Sequence, residues 1–269
     1  MLKTEIAESV KCEFCGRNLK QEKLIIIIGD VETKINKEVE RCNCIQAKEF
    51  WKIQDYKRKK ELELQEKREK DRRIEKLYDK SKMHLRLKGY SFQNFKITKE
   101  NEKAYCKAKE YAQLIKNGER KSLIITGNIG TGKTHLASSI ANFLIQSEIS
   151  VVFGTLINLL NEVKDTYTME NKTESFIIEK YSKVPLLIID DLGKERPSEW
   201  TLEKLFTIIN NRYENNLPVV ITTNYNRERL RERLANNVNY EIADSIISRL
   251  YEMCKGINLN GKDKRKELV

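Results

Sequence analysis

The residues best suited to chemistry lie in the glycine-rich stretch Gly127–Thr134, which reads Gly-Asn-Ile-Gly-Thr-Gly-Lys-Thr. Glycines allow a tight turn and let backbone N–H groups face a phosphate, because no side chain obstructs the approach. The spacing G-x-x-x-x-G-K-[ST] predicts that Lys133 reaches the β- and γ-phosphates of a nucleotide and that the Thr134 hydroxyl binds Mg²⁺. An ordinary glycine-rich turn is the alternative interpretation.

The flanking sequence predicts the elements that this loop needs. Residues 123–126 predict a short buried strand, and residues 135–145 predict a helix with an apolar stripe. A helix that begins near Lys133 would add the positive end of its dipole to the phosphate site. The expected nucleotide-binding residues of the loop are Gly127, Asn128, Ile129, Gly130, Thr131, Gly132, Lys133, Thr134 and His135.

Two adjacent carboxylates, Asp190 and Asp191, directly follow a second apolar run at residues 186–189. On a neighbouring strand, Asp190 could hold Mg²⁺ and Asp191 could polarise the attacking water as a general base. Two acids that merely end a strand are the alternative. Asn224 follows a further apolar run and is placed to hydrogen-bond the γ-phosphate or that water, although Thr-Thr-Asn also forms ordinary turns.

Four cysteines near the N-terminus form two close pairs, Cys12 with Cys15 and Cys42 with Cys44. Four thiolates in two pairs can surround Zn²⁺ tetrahedrally, and the apolar run at residues 24–28 predicts a strand between the pairs. Because the core of such a unit is small, the metal would supply much of its folding free energy. Four unrelated buried cysteines are the alternative, and no βαβ pattern supports a redox motif.

The composition limits the class of protein. The chain of 269 residues has a formal net charge of +11, which favours a polyanionic partner, although solvated lysines alone also produce such a surplus. No apolar run is long enough to span a bilayer, and the first residues do not form a signal peptide. We therefore expect a cytoplasmic protein with reduced thiols and no membrane partner.

Shifts in composition predict three parts: a zinc-binding unit (1–45), a basic helical connector (46–88) and a nucleotide domain (89–269). The connector is either a solvated helix or a basic arm that follows nucleic-acid phosphates. The last part alternates apolar strands with amphipathic helices, which predicts an α/β fold with a parallel sheet between helices. There we expect helices at 101–116, 156–167 and 200–213, strands at 149–153, 186–191 and 219–224, and a polar loop at 166–175.

Together these motifs resemble the DnaC/DnaI helicase-loader and IstB group of AAA+ ATPases. The resemblance spans about residues 89–265 and rests on the stretches 127–136, 187–193, 199–200, 208–213, 221–225 and 247–250. It implies an AAA+ P-loop NTPase domain that binds ATP with Mg²⁺ and assembles with copies of itself. It also implies slow, assembly-dependent hydrolysis, because Asp191 is shorter than the Glu that most AAA+ proteins carry there.

The resemblance also assigns roles to single residues. It implies that Asn224 is the first sensor of nucleotide state, with Thr223 as the alternative. It further implies that Arg249 enters the site of a neighbouring subunit, whereas from the sequence alone Arg249 is a charge on a helix surface. Residues 261–265 depart from the family's Gly-x-Asp-Tyr-Arg at Lys264, which leaves a nucleotide role of Arg265 open. The expected catalytic residues are Lys133, Asp191, Asn224 and Arg249.

Several functions fit these features. The first is an ATP-dependent loader that binds a replicative DnaB-type ring helicase and places it on single-stranded DNA during DNA replication. The alternative is an IstB-type transposition helper that binds duplex DNA, although such helpers usually begin without a cysteine unit. The intact site disfavours a zinc and DNA module with a vestigial site, and no lid arginine cluster supports a P-loop metabolite kinase. The candidate DNA contacts are Phe153, Lys164, Tyr167 and Lys172.

Overall fold

The computed structural model describes residues 2–28, 31–168, 173–195 and 197–263. The chain divides into two compact units, Met1–Asp71 and Arg72–Val269. The predicted boundaries at residues 45 and 88 stay predictions. Among the helices of the described residues, none combines the length and the apolar character that a membrane span requires.

The N-terminal unit contains a three-stranded antiparallel sheet. Its strands β1 (Leu2–Lys11), β2 (Asn18–Ile28) and β3 (Val31–Val39) pair in the order β1-β2-β3. The strand predicted at residues 24–28 is thus the second half of β2. The strands on either side of it escaped prediction because charged residues interrupt their apolar signal.

Helix α1 (Ile45–Ser81) covers most of the predicted connector. All of its residues from 55 to 73 are exposed. This stretch is rich in Lys, Arg and Glu, which have straight side chains and high helix propensity, and it contains no Gly or Pro. Local propensity rather than burial therefore forms this part of the helix. A short helix, α2 (Leu85–Lys88), follows.

The second unit contains a parallel sheet of five strands in the order β5-β6-β7-β4-β8. These strands are β4 (Ser122–Thr126), β5 (Val151–Thr155), β6 (Leu186–Asp190), β7 (Val219–Thr223) and β8 (Cys254–Asn258). The edge strand β8 was not predicted, because Ile257 is its one fully buried residue. The carboxyl ends of β4, β6 and β7 meet at one edge of the sheet, which brings together loops that are distant in sequence.

Helices cover both faces of this sheet. Along β6, Leu187 and Ile189 pack into the core on one face, whereas Leu186 and Ile188 pack into the core on the other. The first face carries α5 (Leu156–Asp165), α6 (Glu174–Lys183), α7 (Glu199–Glu214), α8 (Arg227–Ala235) and α9 (Tyr240–Met253). The second carries α3 (Glu102–Lys116) and α4 (Lys133–Gln146). The predicted α/β fold is confirmed.

The polar segment at 166–175 differs from the predicted loop. Thr166–Thr168 form a 3₁₀ turn after α5, and α6 begins at Glu174. The Thr173 side chain accepts a hydrogen bond from the Phe176 backbone N–H and so caps this helix. The loop prediction was therefore wrong for Glu174 and the residue after it.

Candidate nucleotide site

The glycine-rich loop joins β4 to α4, as the sequence predicts. Gly132, the N-cap residue of α4, has a φ of 103°, which residues with a side chain rarely adopt. A Cβ atom at Gly127 would collide with the Leu259 carbonyl, and one at Gly130 would collide with the Asp263 carboxylate. The segment after β8 packs against the loop at these two positions. It therefore requires glycine there, as a bound phosphate would.

Lys133 is the first residue of α4 and is 4% exposed. Its ammonium donates hydrogen bonds to the Gly127 carbonyl at 2.9 Å and to the Asn128 carbonyl at 2.7 Å. The Thr131 hydroxyl donates to the same Asn128 carbonyl at 2.9 Å. These bonds hold one positive charge within the loop, at the position where a polyphosphate would meet it.

Asp190, at the end of β6, is 6% exposed and lies beside the loop. The Thr134 hydroxyl is 3.1 and 2.9 Å from its two carboxylate oxygens, and the Thr222 hydroxyl donates to Oδ1 at 2.6 Å. Burial raises the pKa of Asp190, and the neighbouring charge of Asp191 adds to that effect. A divalent cation would relieve this buried charge, so Thr134 and Asp190 fit a Mg²⁺ site.

Asp191 begins the turn after β6 with a φ of 55°, in the left-handed region. Its backbone N–H donates to the Thr222 hydroxyl at 2.8 Å, so one threonine contacts both the Asp190 carboxylate and the Asp191 backbone. The Asp191 carboxylate lies 4.0 Å from the Lys194 ammonium. Asp191 and Lys194 both line the cavity beside the glycine-rich loop.

The two sensor candidates at the end of β7, Thr223 and Asn224, differ in their access to the cavity. The Thr223 hydroxyl donates to the Leu192 carbonyl at 2.7 Å and is fully buried, so it serves the packing of the turn. Asn224 lines the cavity, and so does Tyr225 after it. Among these side chains, Asn224 therefore has access to a bound nucleotide.

The cavity has a volume of about 830 Å³, which is in the range of small-molecule sites. The side chains around it come from the segment 86–90, the glycine-rich loop, the turn after β6 and the end of β7. Its lining residues are Arg86, Leu87, Tyr90, Ile129, Gly130, Gly132, Lys133, Thr134, His135, Asp191, Lys194, Asn224 and Tyr225.

One wall of the cavity is held in place by His135 and Asn142. The His135 ring stacks on Tyr90 at 4.3 Å, and its Nε2 lies 3.1 Å from the Ser91 carbonyl, to which it can donate. The Asn142 amide donates to the carbonyls of Leu87 and Tyr90. The ring of His135, which was predicted to bind nucleotide, thus packs on Tyr90, and the two rings form an aromatic wall of the cavity.

Arg249 lies on α9 and is not among the cavity-lining residues. Its Nε donates to the Asn210 side chain at 2.8 Å, and another guanidinium nitrogen donates to the Ser245 carbonyl at 3.1 Å. The guanidinium also lies 5.0 Å from the centre of the Phe206 ring. These contacts hold the Arg249 side chain in one orientation on the surface formed by α7 and α9.

The four N-terminal cysteines lie together. Their Sγ atoms are all within 4.8 Å of one another, and Cys15 and Cys42 are 3.5 Å apart. Tetrahedral Zn–S bonds of about 2.3 Å require S–S separations of about 3.8 Å. Hydrogen bonds from the backbone N–H groups of Phe14 and Cys15 lower the pKa of Cys12 to about 7, which favours the thiolate. The set Cys12, Cys15, Cys42 and Cys44 therefore fits Zn²⁺.

The candidate DNA contacts differ in their exposure to solvent. Phe153 is 2% exposed in β5, so the prediction that it touches DNA was wrong, because its face of the strand packs into the core. Lys164 and Tyr167 are exposed, and the Lys164 ammonium lies 5.2 Å from the Trp200 ring. Lys172, like Arg265 of the C-terminal pattern, lies outside the described residues.

Sequence reasoning missed the aromatic wall, Lys194, Tyr225 and the role of Thr222. Lys194 and Tyr225 lie close in sequence to Asp191 and Asn224, and this proximity was a usable signal. The contact of Thr222 with Asp190 spans 32 residues of sequence, so it depends on the pairing of β6 with β7.

Comparisons with known proteins agree with this geometry. The chain is 28% identical to the replicative helicase loader DnaC of Escherichia coli (strain K12) over 167 residues, 62% of this chain and 68% of that protein. It is 24% identical to the phage-like element PBSX protein XkdC of Bacillus subtilis (strain 168), over 68% of this chain and 69% of that protein.

Solved structures show the same likeness. A crystal structure of DnaI superposes with a TM-score of 0.56 and 26% identity, covering 68% of this chain and 95% of that one. A crystal structure of the DnaC helicase loader gives a TM-score of 0.54 and 26% identity, covering 66% of this chain and all of that one. Residues 48–268 match the family described as IstB-like ATP binding protein. The chain therefore belongs to the IstB-like ATP binding protein family, and it shares the AAA+ fold of the DnaC-type helicase loaders.

Proposed function

We propose that this protein is an ATP-dependent loader that binds a replicative ring helicase of the DnaB type and places it on single-stranded DNA during DNA replication in the cytoplasm. The observation that carries the proposal is the likeness to the helicase loader DnaC, both in sequence and in fold. The glycine-rich loop, Lys133 and the carboxylates of Asp190 and Asp191 would supply the chemistry for this function.

In this proposal the second unit is an ATPase. Lys133 and the backbone N–H groups of the loop bind the phosphates, and Thr134 and Asp190 hold Mg²⁺. Mg²⁺, when bound, neutralises charge on the phosphates. Asp191 accepts the proton of the attacking water, and Asn224 orients that water or the γ-phosphate. The short Asp191 side chain is consistent with slow turnover.

Arg249 completes the site of a neighbouring copy. Its placement away from its own cavity, with the guanidinium held by Asn210 and Phe206, supports action in trans. An arginine that enters from another subunit stabilises charge on the transferred phosphoryl group. Hydrolysis would then depend on self-assembly, which suits a protein that acts on a ring.

The N-terminal unit is proposed to bind the helicase. Phe14 and Phe50 are each 38% exposed, and their rings are 5.4 Å apart beside the cysteine cluster. Neighbouring exposed aromatic side chains are typical of protein interfaces. A zinc ion on Cys12, Cys15, Cys42 and Cys44 would fix the local backbone that presents them.

Two binding measurements test the function. The intact protein should capture the replicative helicase of its host, and it should bind single-stranded DNA more tightly with an ATP analogue than without one. A Phe14→Ala and Phe50→Ala double variant should lose helicase capture and keep ATP binding. Preference for duplex DNA without any helicase capture would instead assign the chain to the IstB-type transposition helpers.

A further inference from the structure

The turn at residues 191–195, called here the catalytic turn, is held by a side chain from α8. Arg233 donates from Nε to the Gly193 carbonyl and from a terminal nitrogen to the Lys194 carbonyl, both at 2.9 Å. Two N–H groups of one guanidinium therefore donate hydrogen bonds to two consecutive carbonyls. This fork-like geometry is specific to arginine, because a lysine ammonium is a single point.

The opposite side of the same turn is held by β7. The Leu192 backbone N–H donates to the Thr222 carbonyl at 2.8 Å, and the Leu192 carbonyl accepts from the Thr223 hydroxyl at 2.7 Å. The turn thus lies between β7 and α8. Among the described residues, Arg233 supplies the side chain that donates to the two carbonyls facing α8.

This turn needs support because its backbone is in a sparsely populated conformation. Asp191 has a φ of 55°, and Gly193 has a φ of 88°. A Cβ atom at Gly193 would lie 2.7 Å from Leu230 of α8. A residue other than glycine in left-handed conformation persists where its surroundings over-determine it. The direction of the Asp191 carboxylate therefore depends on contacts made two and three residues later.

Arg233 also contacts the other edge of the cavity. Its guanidinium lies 5.4 Å from the centre of the Tyr225 ring, and Tyr225 lines the cavity next to Asn224. One side chain therefore touches both the turn that carries Asp191 and the residue after the sensor candidate.

We propose that Arg233 is a positioning residue for ATP hydrolysis, which it supports by fixing the catalytic turn so that Asp191 meets the attacking water. The inference rests on the ATPase activity proposed above. Arg233 acts on the carboxylate through the backbone, so it contributes to turnover and little to the binding of phosphates. An error of about 1 Å in such a group is enough to slow a reaction about a hundredfold.

The test compares Arg233→Ala with Arg233→Lys and with Arg229→Ala. Arg229 lies on the same helix with an exposed side chain, so its loss removes the same charge without touching the turn. We expect Arg233→Ala to lower kcat at least about tenfold and to change the Kd for a non-hydrolysable ATP analogue less than about threefold. Arg233→Lys should recover part of kcat, and Arg229→Ala should match the wild type in both.

Three outcomes would overturn the inference: unchanged kcat in Arg233→Ala, an equal loss of affinity and turnover, or a similar loss in Arg229→Ala. If Arg233→Ala does not fold, Arg233→Lys must show a smaller loss of kcat with a nearly unchanged Kd. Wild-type protein that hydrolyses no ATP, even with DNA and helicase present, would instead overturn the proposed ATPase function.

Discussion

At the scale of single residues, the site depends on side chains that share hydrogen bonds. Thr222 contacts the Asp190 carboxylate and the Asp191 backbone at once, and Thr134 lies against the same Asp190 carboxylate. In the proposed ATPase, binding and hydrolysis would therefore use adjacent but separable groups. In the proposed mechanism Lys133 serves the phosphates, whereas Asp191 lines the cavity without a contact to the glycine-rich loop among the described hydrogen bonds.

Substitutions at Lys133 and Asp191 should have different effects. Lys133→Ala removes charged hydrogen bonds of about 1.5–3 kcal/mol, so ATP affinity should fall roughly ten- to hundredfold. Asp191→Asn removes the base and keeps the shape, so turnover should fall about a hundredfold or more while affinity is retained. Titration with a fluorescent ATP analogue and a phosphate-release assay measure the two effects, and equal binding defects would contradict the division.

Arg249→Ala should bind ATP as well as the wild type, because Arg249 does not line the cavity of its own subunit. It should lose the part of hydrolysis that assembly stimulates. Mixing it with Asp191→Asn protein should restore some activity, since an intact site can then meet an intact arginine across an interface. Phosphate release across mixing ratios measures this effect. Normal hydrolysis by assembled Arg249→Ala would rule out action in trans.

At the scale of elements, a buried arginine ties α7 to the ends of α6 and β7. Arg212 is fully buried, and it donates to the carbonyls of Tyr181 and Val184 at 2.8 and 3.0 Å and to that of Pro218 at 2.5 Å. Burial lowers the pKa of Arg212 to about 10, so it remains charged at neutral pH. The first two carbonyls lie at the C-terminal end of α6, where a helix dipole favours positive charge.

Replacing Arg212 with Met should destabilise the second unit by about 3 kcal/mol or more, because buried carbonyls lose their donors at about 1–3 kcal/mol each. Arg229→Met is the matched control, since Arg229 is exposed on α8. Urea unfolding followed by circular dichroism measures both. A variant at Arg212 as stable as the control would show that water or other groups replace the lost bonds.

The N-terminal unit should contain one zinc ion per chain. Cys12→Ser and Cys42→Ser should each lose the metal, because three thiolates leave a tetrahedral site incomplete. Cys106→Ser is the control, since this exposed cysteine belongs to α3 and lies outside the cluster. Metal analysis by mass spectrometry counts the ions. Zinc-free protein that keeps its N-terminal structure after chelation would contradict a structural metal.

At the scale of the whole molecule, the net charge of +11 favours binding to a polyanion. Much of the described α1 carries exposed charged residues, and Lys164 beside Trp200 adds a positive charge next to an aromatic ring. Single-stranded DNA is bound by such combinations of charge and stacking.

Binding of single-stranded DNA should therefore weaken as salt is raised, because released counterions drive it. Lys164→Ala should reduce the slope of log affinity against log salt by about 0.7, the value for one phosphate contact on a single strand. Lys109→Ala, an exposed lysine of α3, should leave the slope unchanged. Fluorescence anisotropy at several salt concentrations measures the slopes, and identical slopes for both variants would exclude Lys164 as a contact.

The sequence by itself determined the parallel α/β fold, the glycine-rich loop between strand and helix, and the grouping of the cysteines into two pairs. These features are local, because a phosphate loop, an apolar strand and a metal-ligand pair are each encoded within a few consecutive residues. Asp190 and Asp191 could be found in the same way, as acids at the end of an apolar run.

Only the tertiary structure decided which distant residues complete these local motifs. Thr222 reaches Asp190 because β6 and β7 are neighbours in the sheet, and Arg233 reaches Gly193 because α8 packs beside the turn, 40 residues away in sequence. Phe153 was misread for a related reason, since a single strand does not reveal whether both of its faces are covered. Pairing order and helix packing are collective properties of the chain, so no short stretch of sequence encodes them.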